Sequence, residues 1–159
     1  MAGPAVLDNT VLVNFATAER PRLLTQVWPE AICTTPAVKR EYEEGVAQGA
    51  VPNSTWNALR VCELSGEEVE FATQLSARLG AGERSCLAVA YYRGGLFVSD
   101  DADARREARR HEIPVTGTLG ILARAVEENT ISLEEGNRLL ARMIDAGYHA
   151  PVERLYDLL

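Results

Sequence analysis

The stretch LFVSDDADARREARR, Leu96 to Arg110, changes character abruptly. Leu96 to Ser99 is a short apolar run that reads as a buried strand. It ends in Asp100, Asp101 and Asp103, and Arg105, Arg106, Arg109 and Arg110 follow at once. Carboxylates gathered at the tip of a strand that enters the core repel one another. That repulsion costs stability unless a cation offsets it. A divalent ion bound there would explain the order of residues if other segments bring acids to the same place.

With 159 residues, 47% of them hydrophobic, the chain reads as one domain over residues 1–159 with a substantial core. Its three cysteines, Cys33, Cys62 and Cys86, are odd in number, scattered and set in apolar surroundings. They argue for reduced thiols and a cytoplasmic protein, against a disulfide framework or a zinc site. Only His111 and His149 offer imidazole, so a metal site here is built from oxygen and suits Mg²⁺ or Mn²⁺. The N-terminus lacks a basic region followed by a long apolar one, and no run approaches the ~20 residues that span a bilayer. A net charge of −7 gives no global attraction for nucleic acid, which counts against a non-specific coat protein but not against an enzyme with a local basic rim.

Along the chain, strands are expected at Pro4–Leu7, Ala31–Thr34, Ala58–Leu64 (an edge), Leu96–Ser99 and Ile113–Val115. Helices are expected at Val11–Ala18 behind Asn9 and Thr10, at Pro21–Val27, from Pro36 to about Gly45, and at Glu67–Arg78 behind Ser65. Further helices are expected from Glu83 to Arg93, Asp101 to His111, Thr118 to Glu127, Ser132 to Ala146 and Val152 to Leu159. Gly49 to Asn57 reads as a loop. On these helices Val69, Ala72 and Leu75, and then Leu87, Ala88 and Tyr91, have the spacing of core faces. Alternation of strands and helices predicts an α/β/α sandwich around a mainly parallel, short-stranded sheet. Ligands in such sheets lie beyond the carboxyl ends of the strands, at a topological switch point.

Four acids fall where they can converge on that edge. Asp8 ends the first strand, Asp101 follows the strand Leu96–Ser99, Glu83 opens the helix before that strand, and Glu41 sits in mid-helix. Each has an ordinary reading by itself: Asp8 and Asp101 as helix caps, Glu83 as an acid favoured by a helix N-terminus, Glu41 on a solvated face. The joint pattern is the evidence.

That pattern resembles the PIN domain, a family of Mg²⁺-dependent ribonucleases that includes the VapC-type toxins. The resemblance is carried by AVLDNTVLVNF (5–15), TTPAVKREYEEG (34–45), GAGERSCLAVAYYRGGLFVSDDADAR (80–105) and VTGTLGILARA (115–125), in the family's order. It implies a PIN-like fold and assigns the catalytic acids to Asp8, Glu41, Glu83 and Asp101, with Asp8, Glu83 and Asp101 as ligands of Mg²⁺ or Mn²⁺. It further implies endonucleolytic hydrolysis of RNA that leaves a 5′-phosphate, and allows an antitoxin partner and a homodimer. Glu83 departs from the aspartate common in the family. Asp100 and Asp101 project to opposite sides of an extended chain, so only one can be a direct ligand, and Asp101 is preferred. Asp100 and Asp103 are left as second-metal or capping candidates, and Thr118 as a helix cap that can also touch metal-bound water.

Arg105, Arg106, Arg109 and Arg110 share one broad side of a helix, able to grip RNA phosphates, to pair with Glu107 and Glu112, or to receive an antitoxin's acids. An apolar load at Leu119, Ile121, Leu122, Leu139, Leu140, Ile144, Leu155, Leu158 and Leu159 exceeds what a small core is expected to absorb, which also predicts a dimer. Asp8-Asn9-Thr10 resembles the opening motif of haloacid-dehalogenase-type phosphatases, but Thr10 stands where a second aspartate is needed and no lysine follows Lys39. A response-regulator receiver fails for want of the same late lysine. The alternative that stays open is a catalytically inactive PIN-like module that binds RNA or protein.

Overall fold

The computed structural model describes residues 3–28, 32–56 and 58–159. From the N-terminus it runs β1 (Ala5–Leu7), α1 (Asn9–Thr17), α2 (Arg22–Val27), β2 (Ile32–Thr34), α3 (Pro36–Ala47) and β3 (Arg60–Val61). It continues with α4 (Gly66–Gln74), α5 (Ala81–Arg93), β4 (Leu96–Val98), α6 (Ala102–Arg110) and β5 (Val115–Thr116). The helices α7 (Thr118–Glu127) and α8 (Leu133–Asp145) and a 3-10 turn, Leu155–Leu158, complete it.

The strands form one sheet in the order β3-β2-β1-β4-β5, with every pairing parallel. Parallel strands need crossovers that cover both sheet faces, so their residues are buried on both sides and read as unbroken apolar runs. All of Ala5–Leu7 and Ile32–Thr34 is indeed buried. One set of helices gathers around α5, which packs on β1 and β4 and touches α3, α4 and α6. Another gathers around α7, which touches β5, α2 and α8. The fold is the three-layer α/β/α sandwich. From β1 the chain proceeds outward to β2 and β3, then returns to lay β4 on the other side of β1. The switch point therefore lies between β1 and β4, and Asp8 and Asp101 follow those two strands.

Local chemistry accounts for the helix ends. Thr35 caps α3 by accepting from Val38 N at 3.3 Å, with Pro36 in the first turn. Ser65 and Glu68 close a reciprocal capping box on α4. Gly94 ends α5 in the left-handed conformation at φ 62°, a position glycine adopts without the Cβ penalty.

Several expectations need correction. The cap of α1 is Asp8 itself, not Asn9 or Thr10. The expected strand Ala58–Leu64 shrinks to Arg60–Val61, both exposed on the edge. The helix α4 stops at Gln74, and Val69 is exposed while Glu68 is buried against Arg93. That ion pair, with Arg93 Nε 2.8 Å from Glu68 Oε2, turns the helix away from the face that its apolar spacing marks. Tyr91 is exposed too, stacked on Phe71 with ring centroids 4.5 Å apart. The last strand lies at Val115–Thr116 rather than Ile113–Val115, and the expected helix Val152–Leu159 is only the 3-10 turn. Ala31 and Asn57, at the ends of an expected strand and loop, lie outside the described residues.

The C-terminal apolar load is mostly absorbed within the monomer. Ile121, Leu122, Leu139, Leu140 and Leu155 are buried, Leu119 and Ile144 pack against the core, and only Leu158 and Leu159 of that set are exposed. Cys33, Cys62 and Cys86 are free thiols, with Cys33 and Cys86 buried. Among the described residues no helix is long and apolar enough to cross a membrane.

Candidate active site

Asp8 stands at the end of β1, fixed by its backbone N–H, which donates to Val98 O across the sheet at 2.9 Å. Its side chain is buried and fully engaged. Oδ1 accepts from Asn9 N at 2.7 Å, and Oδ2 accepts from the Ser99 hydroxyl at 2.7 Å. Burial nevertheless dominates and raises its pKa to about 6, over the lowering by Ser99 and Asn9 and with help from the charges of Glu41 and Asp101. An acid that remains elevated despite two donated hydrogen bonds is one whose desolvation outweighs them.

The other acids reach the same place from separate elements. Thr35 on the β2–α3 turn bonds the Ser85 hydroxyl at 2.6 Å, and Ser85 donates to Gly82 O at 2.7 Å. This buried relay ties the start of α3 to the start of α5. It carries Glu41, one turn into α3, over the backbone of Gly82, whose N–H its carboxylate accepts. A Cβ on Gly82 would overlap that carboxylate, so glycine is needed for the close approach. Burial, then the charge of Glu44 against the Gly82 bond, leaves Glu41 raised. Glu83 sits in the first turn of α5 and accepts from Gly80 N at 2.8 Å. Its pKa is pushed up to about 7, first by burial and then by the charges of Asp8 and Asp101 and a hydrogen bond with the Asp101 carboxyl. Asp101 caps α6, with Ala104 N 2.8 Å from its Oδ2.

Asp8, Glu41, Glu83 and Asp101 thus converge on the switch point. Asp8 and Asp101 are also helix caps, Glu83 lies in the first turn of its helix and Glu41 is on an exposed part of α3, as their ordinary readings describe, and the two roles coexist. As placed, however, the described residues contain no group of three or more His, Cys, Asp and Glu side chains set to hold a metal ion. Asp8, Glu83 and Asp101 sense one another's charge, and Glu83 lies within hydrogen-bond reach of Asp101. Glu83 is drawn to Gly80 N–H and Asp101 to Ala104 N–H, which are the contacts a shared cation has to compete with. The donor set is nevertheless all oxygen and strongly anionic, which suits a hard divalent ion.

The aspartates beside Asp101 do other work. Asp100 accepts from Thr118 N at 2.7 Å, from the Thr118 hydroxyl at 2.5 Å and from Asn14 Nδ2 at 3.0 Å. Its own N–H donates to the Thr10 hydroxyl at 3.0 Å. Asp100 therefore pins the N-terminus of α7 to α1, its two oxygens accepting three hydrogen bonds. Thr118 is not the cap of α7; it is the first residue of the helix and is held by Asp100. Asp103 is exposed and paired with Arg106 at 2.7 Å, outside the cluster.

The four arginines differ in their partners. Arg105 donates to Ser99 O at 2.9 Å, Arg106 pairs with Asp103, and Arg110 lies 3.2 Å from the buried Glu107. Arg109 makes no hydrogen bond or ion pair among the described residues and lines a cleft with Arg105 and Arg106.

Two residues of this neighbourhood escape a reading by acids alone. Ser99, directly after β4, is completely buried and orients Asp8; its signal is a hydroxyl that follows an apolar strand. Asn14 reaches Asp100 and Thr118, and its signal is an amide interrupting the apolar run VLVNFA.

None of the curated proteins matches the chain significantly. A family model described as a PIN domain matches residues 4–159. The PIN domain is a nuclease-type fold, and the match takes in every strand and helix above together with all four acids of the switch point. By that match over nearly the whole length, the chain belongs to the PIN-domain family.

Proposed function

We propose that the protein is a divalent-metal-dependent endoribonuclease that hydrolyses RNA phosphodiester bonds. The observation that carries the reading is the convergence of acids from four elements on the switch point, where burial chiefly and neighbouring charge secondarily raise buried Asp8 to about 6 and half-buried Glu83 to about 7. Proteins retain such a cost where function needs it. Asp8, Glu83 and Asp101 would hold Mg²⁺ or Mn²⁺, with Glu41 beside them. The ion supplies neutralising charge and Lewis acidity toward a phosphodiester.

The chain's own residues supply the positioning. Ser99 and Asn9 N–H fix the Asp8 carboxylate, and Gly82 N–H orients Glu41. Asp100, Thr118 and Asn14 hold the loop that presents Asp101. Arginines on α6 provide local positive charge for a polyanion on a chain of net charge −7. RNA rather than DNA, and the role of a toxin held in check by an antitoxin, rest on the family likeness. So does a homodimer, since the apolar surface that argued for it is largely internal. Light scattering at micromolar concentration tests the dimer, and growth arrest on expression that is relieved by Asp8→Asn tests the toxin role.

A second reading is a PIN-like module that binds RNA or protein without turnover. It is favoured by the capping bonds of Glu83 and Asp101 and by the lack of an assembled metal group among the described residues. Purified protein incubated with single-stranded RNA in Mn²⁺, Mg²⁺ or EDTA decides between them. The nuclease reading expects metal-dependent fragments, and a loss of about a thousandfold or more in rate for Asp8→Asn and Asp101→Asn, each still folded. Cleavage by either variant near the wild-type rate removes that residue from the ligand set.

A further inference from the structure

A cleft of about 440 Å³ adjoins the acidic cluster through Asp100. Its walls come from α6, the β5–α7 turn and the segment that follows α8. The volume lies within the ~300 to 1,000 Å³ typical of small-ligand sites. Arg105, Arg106, Arg109 and His149 line it, and the one carboxylate among the lining residues, Asp100, is taken up by Thr118 and Asn14. The cleft is thus a cationic recess beside an anionic site, on a protein whose overall charge is negative.

Two features show that the recess is built rather than incidental. Arg105 is locked in place by Ser99 O, and a Cβ on Gly117 would stand 2.5 Å from Asp100 Oδ1 and 2.8 Å from Arg105 Nη1. Only glycine lets that pair share the turn. Opposite them, Gly147 takes φ 117° after α8, and Tyr148 N then donates to Met143 O at 3.0 Å. This turn presents a half-buried aromatic ring to the cleft. Its phenol is held neutral, raised first by burial and then by the charge of Asp100 against that of Arg105. Val115, Leu119 and Pro151 give the cleft apolar surface.

Cations beside a neutral ring and an apolar wall match a ligand with a phosphate and a flat base. An acidic peptide would use the cations but not the ring. Ser99 relates the recess to the acids, because its hydroxyl donates to Asp8 while its carbonyl accepts from Arg105. We propose that the cleft is a nucleotide subsite: it holds the ribonucleotide next to the scissile phosphate, with Arg105 and Arg109 on its phosphate and Tyr148 against its base. The position next to a scissile bond rests on the nuclease reading; the binding itself does not.

The test is fluorescence anisotropy of the full-length protein with a short labelled single-stranded RNA in EDTA, over a salt series. Arg109→Ala should weaken binding and flatten the slope of log K against log salt by about 0.7, the loss of one phosphate contact on a single strand. Tyr148→Leu should weaken binding about fivefold or more with the slope unchanged, and Tyr148→Phe should restore it, as stacking requires. Arg138→Ala, on exposed α8 surface paired with Glu134, should bind as wild type. In Mn²⁺ the subsite variants should raise KM and leave kcat near wild type. Thermal melts identify any variant that fails to fold, and exposed Arg109 keeps the test available if Tyr148→Leu does. Wild-type binding by Arg109→Ala and Tyr148→Leu overturns the subsite, even where Asp8→Asn abolishes cleavage and the nuclease reading stands; the arginines then fall to an acidic protein partner. The expected binding pattern without any cleavage by the wild type keeps the subsite and removes the nuclease reading.

Discussion

Asp8→Asn is the substitution that most directly measures what it costs to hold a buried carboxylate at the switch point. Both oxygens of Asp8 accept hydrogen bonds, from Asn9 N and from the Ser99 hydroxyl. Asparagine can keep the first as an equally good cap and donate from its amide to the second, since a hydroxyl also accepts. The substitution therefore removes charge with little loss of bonding. In the folded protein the Asp8 carboxyl titrates at about 6 against an ordinary 3.8. At about 1.4 kcal/mol per pH unit, that difference corresponds to roughly 3 kcal/mol. The folded value is the higher one, so well below 3.8 both states are protonated and the wild type carries no penalty. As pH rises from about 4 to about 6 the unfolded carboxyl ionises while the folded one resists, so stability is lost over that window and stays lost above it. Asp8→Asn should match wild type within about 1 kcal/mol at pH 4 and exceed it by roughly 2 to 3 kcal/mol at pH 8. Urea denaturation in EDTA at pH 4.5, 6 and 8 reads this difference. A gap between variant and wild type that does not change with pH means that Asp8 is not elevated, and the convergent cluster goes with it.

Manganese should stabilise the wild type by about 2.7 kcal/mol at a hundredfold excess over its dissociation constant. The gain should grow between pH 5.5 and 8, as Asp8 and Glu83 give up protons at about 6 and 7, and melts in EDTA should show none of it. Asp100→Ala should cost roughly 2 to 4 kcal/mol in urea melts, because it strands the Thr118 N–H and the Asn14 amide in a largely buried place; a cost under about 1 kcal/mol refutes its role in pinning α7. Gly82→Ala should lower cleavage about tenfold or more by displacing Glu41, with a stability change within ~1 kcal/mol, and wild-type cleavage would detach Glu41 from the mechanism. Glu68→Ala should cost about 2 kcal/mol through its lost bonds to Arg93 and Ser65 N, with cleavage retained, as calorimetry and the RNA assay will show.

The sheet was legible because a parallel strand buried on both faces must be an uninterrupted apolar run, and Ala5–Leu7 and Leu96–Val98 are such runs ending in acids. Helix starts were legible where capping chemistry is local, as at Thr35-Pro36 and Ser65. Helix faces were less so. The rotation of α4 is set by the pairing of Glu68 with Arg93, 25 residues away, which no periodicity encodes. At the site, the acids could be named from their place at strand ends, but the division of labour between Asp100 and Asp101 could not. It depends on Asn14 and Thr118, which lie 86 and 18 residues from Asp100 along the chain. The cleft at Tyr148 was invisible for the same reason, since its walls come from three separate segments.

The brevity of the strands has a mechanical consequence. Three residues at about 3.3 Å each make a sheet roughly 10 Å deep at β1 and β4. A slip of one residue in β1 would move Asp8 by a third of that depth and put Leu7 or Asn9 in its place. Only three aligned pairs, Ala5 with Leu96, Val6 with Phe97 and Leu7 with Val98, set the register between the two strands that deliver acids. The far edge supplies the missing stop: Gly3 abuts the carbonyls of Arg93 and Gly94, and Gly95 abuts that of Pro4, so closely that a methyl group at either would collide with backbone. These glycines act as an end-stop that indexes the strands from the side opposite the acids. Alignment of Asp8 with Asp101 is therefore set as much by two residues that touch no substrate as by the acids themselves.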